Sequence, residues 1–166
     1  MRTTHSRLRA SQPVTDESKR MPANPRTTAI GTTVITYGTF DLFHIGHLNL
    51  LRNLSQLGSR VVVGVSTDEF NQLKGKKTII PFSHRADIVR ALKFVDHVFA
   101  ETCWEQKRHD ISKHAADIFA MGDDWKGKFD HLSDLCRVVY LPRTRDVSST
   151  EIKQAVREIS ASSLTT

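Results

Sequence analysis

Cysteine is scarce in this chain: Cys103 and Cys136 are the only two among 166 residues. They form no CxxC pair and have no metal-ligand spacing, so nothing argues for structural zinc or a disulfide framework. That usage points to a reducing compartment, and the chain is expected to be cytoplasmic. No apolar run approaches the roughly 18 residues of a membrane helix, so no span is expected. Two familiar phosphate-binding turns are also missing, the GxxxxGK[ST] loop and the GxGxxG turn. A nucleotide, if bound, must be held another way. The sequence has no internal repeat, which excludes a solenoid or propeller.

What is present is the composition of an ordinary globular protein, 39% apolar and 25% charged, with length for one domain. The net charge of +6 suggests nucleic acid at first sight. Its distribution argues against that partner. Residues 1–30 hold six bases and two acids, and the rest of the chain holds eighteen bases and sixteen acids. The excess sits in a tail rich in Thr, Ser, Pro and Arg, without apolar period and without the apolar h-region of a secretory signal. Residues 1–32 are expected to be disordered, because they bury too little to offset ordering entropy. A single domain is expected over 33–158, followed by a flexible C-terminus over 159–166.

From Thr33 the texture changes. Val34–Tyr37 reads as a short buried strand. The stretch 47–57 carries Leu48, Leu51 and Leu54 at helical spacing, and Gly58 stops it. Arg60–Ser66 (RVVVGVS) is rich in β-branched residues, as in a strand covered on both faces. Ser83 predicts a cap for a helix through about Phe94, with Ile88, Leu92 and Val95 on its inner side. Strands follow at 97–100, 118–121 and 137–141, with a polar helix over 105–114 and a last helix from about Ser149. Strand and helix alternate, which predicts an α/β fold: a Rossmann-like, doubly wound parallel sheet of five strands with helices on both faces. Ligands in such folds bind at the carboxyl ends of strands. Function is therefore expected after Tyr37, Ser66, Met121 and Leu141.

The segments at those positions carry the chemistry. After the first strand comes GTFDLFHIGH. His44 and His47 are three apart, so at a helix start both rings lie on one face. A helix N-terminus offers free N–H groups to anions, and two imidazoles add donors for phosphate oxygens. Gly46 keeps the space between them clear. The alternative reading is a pair of capping or metal-binding histidines. No third ligand stands nearby for zinc, which disfavours the metal. LKGKK after the second strand carries Lys74, Lys76 and Lys77. In MGDDW, Gly122 permits close backbone approach. Asp123 and Asp124 could orient a ribose or base, or hold Mg²⁺ with a triphosphate, and Asp41 is a similar candidate. Paired Asp in a loop is also ordinary turn chemistry. In PRTRDVSSTEI, Ser148 and Glu151 have capping-box spacing at the start of the last helix.

GTFDxxHxGH resembles the signature of the nucleotidyltransferase superfamily with the HxGH motif. STDEFNQLKGKK, WEQK, MGDDWKGKFD, VVYLPRT and a Ser/Thr-rich segment follow in order. The run over about 33–156 resembles the glycerol-3-phosphate cytidylyltransferase family. That resemblance implies transfer of a cytidylyl group from CTP, with Mg²⁺, to a phosphorylated small alcohol, sn-glycerol 3-phosphate, giving CDP-glycerol and pyrophosphate. It implies that His44 and His47 stabilise charge on the reacting phosphates, with Lys76 and Arg143 as further catalytic groups. It implies CTP contacts from Thr39, Phe40, Gly46, Gly122, Asp124, Thr144, Ser148, Ser149 and Thr150. Lys74, Lys107 and Arg85 would meet the acceptor. It also implies a homodimer in a bacterial cytoplasm, supplying activated glycerol for a surface polymer such as teichoic acid.

The sequence departs from the family at one turn. The family pattern is close to RTxGIST, and Asp146 stands where Gly is usual. Asp tolerates left-handed geometry better than most residues, so the turn is expected to survive. Two other readings stand beside the glycerol one: the same transfer to another polyol or amino-alcohol phosphate, and an inactive nucleotide-binding module. The intact histidine pair argues against the second.

Overall fold

The structure, a computed structural model, describes residues 31–162. The tail expected over 1–32, apart from residues 31 and 32, lies outside the described residues, as do the last four positions of the C-terminus. Five strands alternate with helices: β1 (Thr33–Gly38), β2 (Arg60–Ser66), β3 (His97–Glu101), β4 (Ile118–Gly122) and β5 (Arg137–Leu141). The helices are α1 (Ile45–Leu57), α2 (Asp68–Leu73), α3 (Phe82–Arg90), α4 (Gln106–Lys113) and α5 (Ser149–Ser162). All strand pairs are parallel, in the order β3-β2-β1-β4-β5. The chain winds one way from β1 to β3 and the other way from β4 to β5, so the crevice lies where β1 meets β4.

The alternation of side chains along each strand divides the core. Val34, Val61, Val63, Val65 and Ala120 pack on one face with Leu51 and Leu54 of α1 and Val89 of α3. Ile35, Tyr37, Val62, Phe119 and Met121 pack on the other with Ile111 of α4 and Leu132. Helix α5 contributes no buried residue to this core and is tied to the turn after β1 by Ser149 and Lys153. It runs to Ser162, four residues beyond the expected domain boundary.

Three local expectations differ from the structure. Helix α1 begins at Ile45, because His44 itself is the cap. Helix α2 was not foreseen: six residues are too few to show a period, and its signal is Thr67, whose hydroxyl accepts the Phe70 N–H at 3.2 Å. Ser83 does not cap α3. Pro81 occupies the cap position without a side-chain bond, and the Asp68 carboxylate accepts the Phe82 N–H at 2.9 Å from across the chain. The helix ends at Arg90 because the chain must turn back to lay β3 beside β2. Ile88 is consequently half exposed, and Val89 fills the core.

Arg85 is also placed differently from its expected role against the acceptor. It is fully buried, on the inner side of α3. Its guanidinium donates to the Ile80 carbonyl at 2.8 Å, to the Thr39 carbonyl, and to Asp68 at 2.7 Å. The helix period carries it inward, so it ties α2, α3 and the turn after β1 together. Removing the guanidinium leaves the inward-facing Thr39 and Ile80 carbonyls without their donor. Arg85→Ala is expected to destabilise the fold by about 3 kcal/mol, read by urea unfolding.

Candidate active site

The turn after β1 delivers the histidines. His44 has extended backbone angles and caps α1, its Nδ1 accepting the Gly46 N–H at 3.1 Å. The capping alternative is therefore realised for His44, and it fixes the chemistry. A neutral imidazole that accepts at Nδ1 carries its proton on Nε2, which remains available as a donor. His47 stacks on it with ring centroids 3.8 Å apart and planes 24° from parallel. His47 Nδ1 is buried and has no hydrogen-bond partner among the described residues. Burial, and then the neighbouring His44, push the His47 pKa down to about 3. Burial and Arg143 lower that of His44. Both rings are neutral donors at pH 7. Gly46 is required here: a Cβ would lie 2.9 Å from the His44 ring and 3.2 Å from Val147.

That last distance brings the segment before α5 against the start of α1. Ser148 caps α5, its hydroxyl accepting the Glu151 N–H at 3.1 Å. Asp146 adopts φ +58°, the left-handed turn expected of it. The two helix N-termini share one chamber of about 340 Å³. The histidines, Lys76, Gly122, Asp124, Arg143, Thr144 and the hydroxyl residues 148–150 line it, together with Thr39 and Phe40. Thr144 accepts from Asn49 of α1 at 3.1 Å, and Arg143 lies 3.9 Å from Asp124. At Gly122 a Cβ would stand 2.7 Å from the Asp124 carboxylate, so glycine lets that side chain fold back over the strand end.

A second chamber of about 410 Å³ adjoins the first, sharing Thr39, Phe40, His47, Lys76, Ser149 and Thr150 with it. Lys74 and Lys107 project into it, under a wall of Trp104 and Trp125. The sequence reading did not pick out Glu101, which binds both lysines. Its carboxylate lies 2.5 Å from Lys107 Nζ and 3.7 Å from Lys74 Nζ. The strand-end rule, extended to the edge strand β3, would have found it.

The metal candidates separate. Asp41 accepts the Ile80 and Ile79 N–H groups at 2.9 and 3.0 Å and pairs with Lys153 at 2.7 Å. Burial alone would raise its pKa, but the Lys153 and backbone hydrogen bonds outweigh that and hold it below the usual range. With its oxygens engaged, Asp41 is a structural clamp and not a free metal ligand. Asp124 keeps a carboxylate in the first chamber. Among the described residues no group of three or more ligating side chains could hold a metal.

His47 makes stability depend on pH. The unfolded chain protonates this ring near pH 6.5, whereas the folded one resists until about pH 3. Its contribution is present above pH 6.5 and is lost as pH falls through that window. Between pH 7 and 4.5, urea unfolding is expected to show the wild type losing about 2 kcal/mol more than His47→Gln, discounted for partial solvent screening.

Comparisons with known proteins identify the family. A family model described as Cytidylyltransferase-like matches residues 35–155. The chain is 54% identical to glycerol-3-phosphate cytidylyltransferase of Bacillus subtilis (strain 168), over 74% of this chain and 95% of the relative. It is 48% identical to the enzyme of that name from Staphylococcus aureus, over 73% and 92%. A solved lipopolysaccharide core biosynthesis protein from Thermoplasma volcanium superimposes with a TM-score of 0.59 at 26% identity, covering 68% of this chain and 98% of that one. Matches that span nearly the whole length of such relatives, on a site of paired histidines between two helix N-termini, place the chain in the cytidylyltransferase-like family, to which it belongs.

Proposed function

We propose that this chain condenses CTP with sn-glycerol 3-phosphate to give CDP-glycerol and pyrophosphate. The observation that carries the reading is the junction of the two chambers at Lys76 and His47. One chamber offers two helix N-termini and neutral imidazoles, which suits a triphosphate. The other has a lysine floor, which suits a phosphate monoester. The junction is where an acceptor oxygen would meet the α-phosphorus.

The step is a direct displacement. A phosphate oxygen of the acceptor forms the new bond to the α-phosphorus. The bond from that phosphorus to the bridging oxygen breaks, and its electron pair leaves with pyrophosphate. The attacking phosphate is already anionic, so no general base is needed. Catalysis is positioning and neutralisation of charge. His44 Nε2–H and His47 donate to the phosphates, Lys76 faces the transferred group, and Arg143 with residues 148–150 holds the leaving pyrophosphate. Mg²⁺, when bound, neutralises triphosphate charge. Asp124 fits as its one protein carboxylate, since magnesium takes most of its ligands from phosphates and water.

The same reading makes the protein a cytoplasmic homodimer whose product supplies activated glycerol for a surface polymer such as teichoic acid. No helix among the described residues is long and apolar enough to cross a membrane.

Pyrophosphate release with CTP and Mg²⁺ tests the reading across glycerol 3-phosphate, ribitol 5-phosphate, phosphoethanolamine and phosphocholine, with ATP in place of CTP as a comparison. Turnover is expected with CTP and glycerol 3-phosphate. Turnover confined to another acceptor would move the substrate, and none with any pair would leave a nucleotide-binding module. His44→Ala is expected to reduce kcat by about 10²–10³-fold, and loss of its cap to cost about 1 kcal/mol of stability. Asp146 places an exposed anion on the loop leading to the triphosphate chamber. Asp146→Gly is expected to keep the fold and lower KM for CTP, more at low salt than at high salt. Unchanged CTP kinetics at low salt would refute that role.

A further inference from the structure

The second chamber contains an acid where an anionic substrate would bind. Parallel register sets Ser66 of β2 beside Glu101 of β3. The Ser66 hydroxyl donates to Glu101 Oε2, and Lys74 Nζ donates to the same hydroxyl at 2.8 Å. Lys107 Nζ reaches Glu101 Oε1 at 2.5 Å from the first turn of α4. Both carboxylate oxygens are therefore engaged, and the carboxylate is almost fully buried. Apart from Glu101, Lys107 meets mainly aromatic faces. Its Nζ is 4.5 Å from the Tyr37 ring centre and 4.6 Å from that of Trp104. Lys74 Nζ is 4.2 Å from Phe70. Asp110, the nearby alternative acid, is occupied by the Tyr37 hydroxyl at 3.0 Å and by Gln106 at 2.8 Å. Two ammonium groups without a counter-charge in such a place would be costly.

We propose that Glu101 is a positioning residue for the acceptor: it is the counter-charge that holds Lys74 and Lys107 at the chamber floor, aimed to receive a phosphate monoester. This rests on the cytidylyltransferase reading above. The cluster of two lysines and one glutamate keeps one net positive charge before substrate arrives. The aromatic walls could attract a cationic alcohol, but their cation sites are already filled by the protein's own lysines. The chamber is thus selective for the anionic end of the acceptor.

A direction follows for the pH dependence. Lys74 is faced by Glu101 on β3, by Lys107 on α4 and by Lys76 on its own loop, with Tyr37 and Asp110 behind. Burial, opposed by Glu101 and reinforced by the two lysines, brings its pKa down to about 8. Losing Glu101 lowers it further, so the ammonium is lost earlier as pH rises. Above the pKa, one lost unit reduces the charged fraction about tenfold.

The test is Glu101→Gln, which keeps shape and removes charge, assayed beside the wild type from pH 6.5 to 8.5. The variant-to-wild-type ratio of KM for glycerol 3-phosphate is expected to grow with pH, reaching about tenfold at the alkaline end. KM for CTP is expected to change by less than about twofold. A ratio that is flat with pH, or equal changes in both KM values, would overturn the proposal in favour of a merely structural role. Wild-type turnover with unaltered variant constants would overturn this inference alone. Absence of wild-type turnover would overturn the functional reading and this inference with it. If Glu101→Gln does not fold, Glu101→Asp keeps the charge but shortens the reach. It is expected to raise KM for the acceptor and not for CTP, and an unchanged acceptor KM would refute the proposal.

Discussion

The turn between β1 and α1 is the constraint on which the site depends. Within five residues the chain must leave the middle of the sheet and present a capping histidine to a helix. It does so through two left-handed residues that carry side chains, Phe40 at φ +54° and Leu42 at φ +48°. Such geometry costs roughly 1–2 kcal/mol per residue for L-amino acids. Bonds from outside the turn hold it in place. Arg85 grips the Thr39 carbonyl, Asp41 accepts two backbone N–H groups from residues 79 and 80, and Ser149 donates to the Asp41 carbonyl at 2.6 Å. Lys153 bridges Asp41 and the Lys77 carbonyl, joining the last helix to the lysine loop. Among these supports Ser149 lines both chambers and Lys153 the second, while Arg85 holds the turn from the buried side. Any substitution that relaxes the turn moves His44, α5 and the lysine loop together.

Charge is organised by the same economy of contacts. The first chamber adds dipoles and neutral donors to the charges of Lys76 and Arg143: two helix starts, two imidazole rings and several hydroxyls. The second chamber relies on full charges, two ammonium groups held by one carboxylate. Neutral donors keep an empty site free of mutual repulsion where many groups converge, and the histidine stack at 3.8 Å would be unfavourable if both rings were charged. Lysines can be packed together only because Glu101 lies between them. Lys76, without a carboxylate partner in an ion pair among the described residues, stands at the junction of the two chambers.

The sequence alone made the layers and their direction readable. Apolar runs of β-branched residues marked the parallel strands, and the strand-end rule led to GTFD, LKGKK, MGDDW and PRT. It failed where a residue's role is decided by an unseen neighbour. The family resemblance sets Arg85 against the acceptor, yet the period of α3 turns it into the interior, where Asp68 waits. Asp41 reads as a metal ligand until Lys153 and two amides reach it from distant segments. Glu101 reads as an ordinary acid at the edge of the sheet until register sets Ser66 beside it and α4 brings Lys107. Pairings between separate elements, from Lys107 with Glu101 to Lys153 with Asp41, leave no local pattern to find.

Capping and ligand binding are usually weighed as rival explanations for a polar residue at a helix start, and here they cooperate. His44 spends Nδ1 on the helix and, by doing so, fixes the tautomer that leaves Nε2–H for an anion. Ser148 spends its hydroxyl on one amide of α5, while Ser149 and Thr150 of that first turn face the same chamber. A cap uses one of the unsatisfied N–H groups of a helix and orients the rest. At both ends of this chamber the cap fixes the geometry of the donors that remain. A substitution that preserved capping but not the second polar atom, such as His44→Asn, separates the two contributions. It retains the helix start and loses the reach to the phosphate.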